Sequence, residues 1–227
     1  MPHKDNAPQV EIEPVRPEDT DAALRLYARC FHGREPLMRH MGFSEERMVY
    51  LARLMHLNQR NDSLQKGLWW LARDVAAEGA PIGLVLCGDI LDEMPDEPPK
   101  ELTPEEMAKV PALMALLEDV RGPLSQKAPI EPGECLHVAA LGVLEGYGGM
   151  GVATALLRAA VAQGAEVGFR VAASVCTVAA SRRCHEKCGF VCLRSVQYNR
   201  FESQGARPFE GMEGSCHLMR KVLRSGG

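Results

Sequence analysis

Apolar and polar positions recur with two periods along this chain, and the changes of period divide it into strands and helices. Alternation in VEIEPVRPED predicts a first strand that stops at Pro17. Helical periodicity predicts two helices, DAALRLYARCF and EERMVYLARLMHLNQ, separated by a loop, HGREPLMRHMG. Two apolar stretches, 63–75 and 81–91, flank the turn AAEGA and predict an antiparallel hairpin.

Residues 92–133 interrupt this pattern. They begin with the acidic, proline-rich DEMPDEPPK and end with KAPIEPGE. Between these segments Thr103 is placed to cap a helix, Pro104 takes its first position, and Glu106 lies three residues after the cap. We interpret 92–133 as an insertion that carries one helix and packs against the main domain.

The C-terminal part alternates strands and helices. CLHVAALGVL, RVAASVCTV, FVCLRSVQYN and GSCHLMRKVL predict strands. VATALLRAAVAQGAEVG predicts a buried helix, and AASRRCHEKCGF predicts a short helix that ends at Gly189. The resulting order, β α α β β, insertion, β α β α β β, predicts a single α/β domain over residues 1–227.

Composition narrows the classes of protein. The 227 residues are 46% hydrophobic and 25% charged, as in globular domains, and the net charge is −4. Without a basic block, nucleic acid is not an expected partner. The apolar runs are too short for a bilayer and the first residues lack a signal-peptide core, so we expect a cytoplasmic protein with no membrane partner.

Eight cysteines raise the questions of disulfides and metal. Most lie inside apolar runs such as LVLCGDI, where a free thiol behaves as a small buried hydrophobe. The spacing of Cys184, Cys188 and Cys192 is not that of a zinc site. We therefore expect free thiols and no metal site.

The chain's chemistry centres on LGVLEGYGGMGVATALL, residues 141–157. One frame, through Gly146 and Gly148, spells the dinucleotide pattern G-x-G-x-x-G; another runs through Gly149 and Gly151. Both place glycines before a helix N-terminus, where backbone N–H groups favour a phosphate. The dinucleotide pattern requires an acid after the next strand and more strands downstream, and both are missing. A tight turn without a ligand is the remaining alternative.

The second frame resembles the coenzyme A loop of the GCN5-related N-acetyltransferase (GNAT) superfamily, Q/R-x-x-G-x-G/A, with Gly148 in place of Gln or Arg. The LGVL strand and SRRCHEKCGF extend the resemblance. It implies acetyl-CoA as cofactor, with the strand along the pantetheine arm and successive amides on the pyrophosphate. The implied cofactor-binding residues are Leu141, Val143, Gly148, Gly149, Met150, Gly151, Val152, Ala153 and Thr154.

Within that superfamily the chain is most similar to the insect-type arylalkylamine (dopamine) N-acetyltransferases. The similarity lies in REPL at 34–37, in the insertion with LTPEEM, and in CTVAASRRCHEKCGF. It implies a GNAT fold, with a mixed central sheet of about six to seven strands flanked by helices. The helical insertion would precede the strand that binds coenzyme A.

Acetyl transfer to an amine requires a base and benefits from an acid. The resemblance implies Glu35 as the base. For the acid it leaves two candidates: His185, at the usual tyrosine position, and Ser181, which is also placed to cap its helix. His137, on the apolar strand, could assist deprotonation, but a hydrogen-bonded core histidine is the favoured interpretation.

The expected acceptor is the primary amine of a small, arylalkyl molecule, because apolar and aromatic side chains flank the implied site. Two alternatives stay open. One is a non-catalytic acyl-CoA-binding module, and the other is a protein, peptide or polyamine N-acetyltransferase. The sequence does not fix the oligomeric state. The expected substrate-binding residues are Pro36, Leu37, Met38, Thr177 and Tyr198.

Overall fold

Seven strands form one mixed sheet in the computed structural model, which describes residues 9–57, 62–92, 102–124 and 130–223. Numbered along the chain, they lie in the order β1-β2-β3-β4-β5-β7-β6. This arrangement confirms the predicted α/β fold and its strand number. The strands are β1 Val10–Pro14, β2 Trp70–Asp74, β3 Ala80–Asp89, β4 Cys135–Val143, β5 Val171–Cys176, β6 Val191–Gln197 and β7 Ser215–Val222.

Six α-helices accompany the sheet in these ranges. One lies where the sequence predicted only a loop: the Glu35 side chain accepts a hydrogen bond from the Met38 N–H, and Gly42 ends the helix in the left-handed conformation. The predicted strand 63–75 is shorter than expected, with turns at 63–67. The helices are α1 Thr20–Phe31, α2 Pro36–Met41, α3 Glu45–His56, α4 Pro104–Arg121, α5 Val152–Glu166 and α6 Ala179–Lys187.

A gap opens in the middle of the sheet, between the parallel strands β4 and β5. They pair over only three positions, the last being His137 with Ala173. β4 continues to pair with β3 as far as Val143, and its register shifts by one residue at Ala139. Such a bulge bends and twists a strand. The edge of β4 that faces β5 is therefore left without a partner strand after His137.

Helices approach β4 closely at two positions. A Cβ at Gly142 would lie 2.8 Å from the Cβ of Cys30 on α1, and a Cβ at Gly164 of α5 would lie 2.5 Å from Leu136. The bulge shifts the alternation of side chains along β4, so Leu136 faces α5 while Gly142 faces α1. These contacts fix α1 and α5 on opposite faces of the strand that borders the gap.

The insertion contributes α4, which packs against α2, β5, β6 and β7. The predicted capping box is present: Thr103 N–H donates to Glu106 at 2.7 Å, and Glu106 N–H donates to the Thr103 hydroxyl at 3.2 Å. Leu116 and Val120 are fully buried against β7 and its neighbours. Most of the two proline-rich flanks, at 93–101 and 125–129, falls outside the described residues.

The eight cysteines, all within the described ranges, are free thiols. Every helix in those ranges is too short or too polar to cross a bilayer.

Candidate active site

A cavity of about 600 Å³ lies over the gap between β4 and β5. Helices α1 to α6 supply its walls, α5 through Ala153 at its N-terminus, together with β4 and β5. Apolar side chains predominate, six of them methionines: Met38, Met41, Met48, Met55, Met107 and Met114. The polar residues of the wall include Arg34, Glu35, His56, Arg121, His137, Ser174, Thr177, Ser181 and His185.

The glycine loop leads into the N-terminus of α5. Gly149 and Gly151 have φ of 80° and 84°, a conformation that glycine adopts without strain. No side chain caps α5, and the N–H groups of 149–154 donate to no other described residue. These unsatisfied donors, at the positive end of a helix dipole, form an anion site. The loop therefore fits the pyrophosphate of coenzyme A.

The coenzyme positions divide into two groups. Leu141, Val143 and Ala153 line the cavity, whereas Gly148, Gly149, Met150, Gly151, Val152 and Thr154 form the loop and first helical turn outside it. Two side chains touch the open edge of β4: Ser174 Oγ donates to the Val138 carbonyl at 3.0 Å, and Arg34 donates to the Val143 carbonyl at 3.4 Å. Between these carbonyls the edge is open to an extended chain with its own amides, such as pantetheine.

Glu35 is a buried carboxylate in the cavity wall. Its Oε2 accepts the Met38 N–H at 2.6 Å, which caps α2, while its Oε1 has no hydrogen-bond partner among the described residues. Its charge contributes to raising the pKa of Tyr27 and Tyr198, after the larger effect of burial on both. The sequence predicted this residue but not its capping role.

Ser181 and His185 both line the cavity but have different surroundings. Val178, not Ser181, is the N-cap of α6, and the Ser181 hydroxyl donates to Cys176 Sγ at 3.3 Å. His185 is fully buried, its Nδ1 lies 2.9 Å from the Ser181 carbonyl, and burial lowers its pKa. A carbonyl only accepts, so Nδ1 carries the proton and the ring is neutral at pH 7.

The expected substrate residues also divide. Leu37, Met38 and Thr177 line the cavity. Pro36 is the first residue of α2 and lies outside the lining. Tyr198 is fully buried behind the wall, where its hydroxyl donates to the Thr177 carbonyl at 2.7 Å. Tyr198 thus holds Thr177 in place without facing the cavity.

Sequence reasoning missed two polar residues of the wall, His56 and Arg121. They meet His137 across the cavity: Arg121 Nη2 lies 3.4 Å from His137 Nε2, and His56 is close enough to lower the pKa of His137 further. Burial is the main cause of that shift, which takes the pKa of His137 to about 3. His137 is therefore a neutral, hydrogen-bonded histidine. The three residues lie on α3, α4 and β4, so no local sequence motif could have predicted that they come together.

The chain is similar to a known protein family and to several solved structures. A profile described as "Acetyltransferase (GNAT) family" matches residues 21–190. The chain is similar to the C-terminal condensation domain of Ebony in complex with β-alanyl-dopamine, with a TM-score of 0.77, 17% identity, and coverage of 96% of this chain and 100% of that one. No curated protein sequence matches the chain.

Two insect enzymes are similar in structure. Arylalkylamine N-acetyltransferase 2 from Aedes aegypti has a TM-score of 0.70 and 16% identity. The polyamine N-acetyltransferase of Drosophila melanogaster, which catalyses the formation of N-acetylagmatine, has a TM-score of 0.67 and 16% identity. In both, 95% of this chain and 100% of the other are covered. Because the family profile spans well over half of the 227 residues, the chain belongs to the acetyltransferase (GNAT) family and is an N-acetyltransferase.

Proposed function

We propose that the protein transfers the acetyl group of acetyl-CoA to the primary amine of a small arylalkyl amine, by direct attack on the thioester. The observation that carries the proposal is Glu35: a buried carboxylate with one unpartnered oxygen, in the wall of an apolar cavity over the gap between β4 and β5. An amine that enters this cavity meets a proton acceptor beside the open edge of β4.

Acetyl-CoA, the acyl donor that this family binds, supplies an activated acetyl group. The amides of 149–154 are the groups that would hold its pyrophosphate, because they are unsatisfied and lie at a helix N-terminus. The edge of β4 from Leu141 to Val143 would align the arm. Gly148 adds no side chain to this site, so the backbone must supply the affinity.

Glu35 would deprotonate the amine, since the ammonium form is not a nucleophile. Its Oε1 is available for the proton, directly or through one water. The Met38 N–H holds Oε2, which fixes the direction of the carboxylate. Leu37 and Met38, on the same short helix, would place the apolar part of the acceptor next to that base.

For the leaving thiolate we assign Ser181 in preference to His185. The hydroxyl of Ser181 lies in the cavity wall and its hydrogen can turn from Cys176 toward a substrate atom. The only proton of the neutral His185 ring is committed to the Ser181 carbonyl. A thiolate is a good leaving group, so this assistance contributes little to the rate.

The cavity walls favour a small amine over a protein terminus. Met107, Val110 and Met114 of α4, the helix of the insertion, line the cavity and so add to its apolar wall. The methionines provide a flexible, polarisable surface suited to an aromatic ring.

The test is an acceptor panel of phenethylamine, tryptamine, spermidine and a short peptide, each with acetyl-CoA. The acetylated amine is measured by chromatography, because the partly exposed thiols of Cys184 and Cys192 would react with a thiol reagent. Turnover of the arylalkylamines above the others supports the proposal. Coenzyme A binding without turnover would indicate a binding module, and turnover of the peptide alone would indicate a protein acetyltransferase.

A further inference from the structure

Tyr147 connects the start of the glycine loop to the hairpin of β2 and β3, through a contact that the proposed chemistry does not use. Its hydroxyl donates a hydrogen bond of 2.8 Å to Oδ2 of Asp74, a buried residue at the end of β2. The other oxygen of Asp74, Oδ1, accepts the N–H of Ala76 at 3.0 Å. Each carboxylate oxygen therefore has a donor, and the two hydrogen bonds fix the carboxylate at the end of the strand.

The residues on either side of Tyr147 have no side chains with which to hold the loop. Gly146, Gly148 and Gly149 surround it, so Tyr147 is the one residue of 146–149 that is not glycine. Glycine has the most backbone freedom to lose when a ligand fixes the chain. A loop that is already held in its binding conformation loses less entropy when the ligand arrives.

Main-chain hydrogen bonds hold only the first part of this segment. The Tyr147 N–H donates to the Leu144 carbonyl at 3.0 Å, and the Gly148 N–H donates to the Glu145 carbonyl at 3.1 Å. The N–H groups of 149–154, which follow, donate to no other described residue. The tyrosine, whose side chain also packs against the hydrophobic core, is thus the last anchored residue before the anion site.

The contact with Asp74 suits this anchoring. It is charge-assisted, because a carboxylate accepts it, and such hydrogen bonds are the stronger kind. The same hydrogen bond, with a smaller effect of burial, raises the pKa of Tyr147, so the hydroxyl keeps its proton at neutral pH. Helix α5, on the other side of the loop, packs against β2 and β3. Both ends of the loop are therefore positioned by the same hairpin.

We propose that Tyr147 is a positioning residue for the coenzyme: through Asp74 it holds the glycine loop in the conformation that presents the amides of 149–154 to the pyrophosphate. This inference rests on the proposed function, because it takes the glycine loop to be the coenzyme site. Since Gly148 adds no side chain, binding depends on the backbone, and a backbone site depends on how well its loop is held.

Tyr147→Phe tests the proposal, because it removes the hydroxyl and keeps the ring. Calorimetry should show that coenzyme A binds about five- to twentyfold more weakly. With an accepted amine, the KM for acetyl-CoA should rise by a similar factor while kcat changes by less than about twofold. A merely structural role would lower kcat through the loss of folded protein and leave the dissociation constant of the folded molecules unchanged.

Asp74→Asn tests whether Tyr147 acts through Asp74. Asparagine has one oxygen for two donors, the Ala76 N–H and the Tyr147 hydroxyl, so coenzyme A should again bind more weakly. The double variant Tyr147→Phe/Asp74→Asn should bind coenzyme A within about twofold of Tyr147→Phe alone, because the contact is already lost. Losses that multiply in the double variant would overturn the inference.

Tyr50→Phe, on α3 and outside the cavity lining, is the matched control and should keep the wild-type affinity for coenzyme A. If the wild type binds coenzyme A and Tyr147→Phe binds it equally well, this inference alone fails. If the wild type itself does not bind coenzyme A, the proposed function fails and this inference fails with it.

Discussion

The proposed coenzyme side of the site is formed by main-chain groups, whereas the proposed acceptor side is formed by side chains. The proposed coenzyme side consists of main chain: the amides of 149–154 and the open edge of β4, all within one segment of about twenty residues. The proposed acceptor side consists of side chains far apart in sequence, such as Glu35 at the N-cap of α2 and Arg121 on α4. Main-chain donors are unaffected by most substitutions, whereas each side chain on the acceptor side can change separately.

This difference implies that the two sides can be altered independently. A change in glycine conformation should affect coenzyme affinity without changing which amine is chosen. A change in a polar wall residue should do the reverse.

The largest effect is expected from Glu35→Gln, which removes the proposed base on the acceptor side and leaves the coenzyme side unchanged. Glutamine keeps an oxygen that can cap the Met38 N–H, but it cannot take a proton, so kcat/KM should fall by about 10²–10⁴-fold. The dissociation constant of coenzyme A should stay at the wild-type value. Glu45→Gln, at an exposed carboxylate paired with His32, is the control. If the Glu35→Gln enzyme turned over the amine as fast as the wild type across pH 6–9, Glu35 would be excluded as the base.

Acidification should destabilise the acceptor side through its buried histidines. Burial lowers the pKa of His56 to about 4, and burial with a smaller effect of His56 lowers that of His137 to about 3. Both return toward 6.5 on unfolding, so below that pH the unfolded chain binds more protons and the free energy of unfolding falls. Between pH 7 and 5.5 these two residues should remove roughly 2 kcal/mol.

Urea unfolding at the two pH values measures that loss, and His56→Phe should abolish about half of it. A His56→Phe chain that loses as much stability as the wild type would show that His56 is not buried as a neutral ring.

Gly151→Ala tests the coenzyme side. Alanine at φ of 84° costs about 1–2 kcal/mol and displaces the amides of the loop, so coenzyme A should bind about tenfold more weakly. Gly79→Ala imposes the same strain at φ of 73° in the β2–β3 turn, and no atom lies near either added Cβ. Calorimetry should show weaker coenzyme binding for Gly151→Ala only, with similar loss of stability in both. Equal affinities would mean that the loop does not hold the coenzyme.

The contrast between main chain and side chains also explains what the sequence could predict. Strand and helix periodicities are local, and so is the capping box of Thr103 and Glu106. The glycine spacing of the loop is local too, because glycine is the residue that adopts a φ near 80° without strain. The family resemblance depended on such segments, and the profile match confirms it.

What the sequence did not predict depends on tertiary contacts. Helix α2 is an exception, because its signals are local; it was expected to be a loop since its N-cap, Glu35, was considered only as a base. Tyr198 was expected to contact the substrate, yet it packs with Phe209 behind the wall. The meeting of His56, Arg121 and His137 requires three elements to come together on the sheet, which no spacing in the chain encodes.

The smallest effect is expected from Ser181→Ala, on the border between the two sides. The hydroxyl donates to the sulfur of Cys176, whose pKa burial raises to about 12, so this thiol stays protonated and neutral. Removing the hydroxyl takes away one weak hydrogen bond and the assigned proton donor. A leaving thiolate needs little protonation, so kcat should fall by less than about tenfold while the KM for acetyl-CoA stays constant. A second measurement replaces acetyl-CoA with an oxygen ester analogue, whose alkoxide leaving group needs a proton. With this analogue, Ser181→Ala should lower kcat much more than it does with the thioester. An equal loss with both donors would give Ser181 a structural role in α6 and leave the leaving group to water.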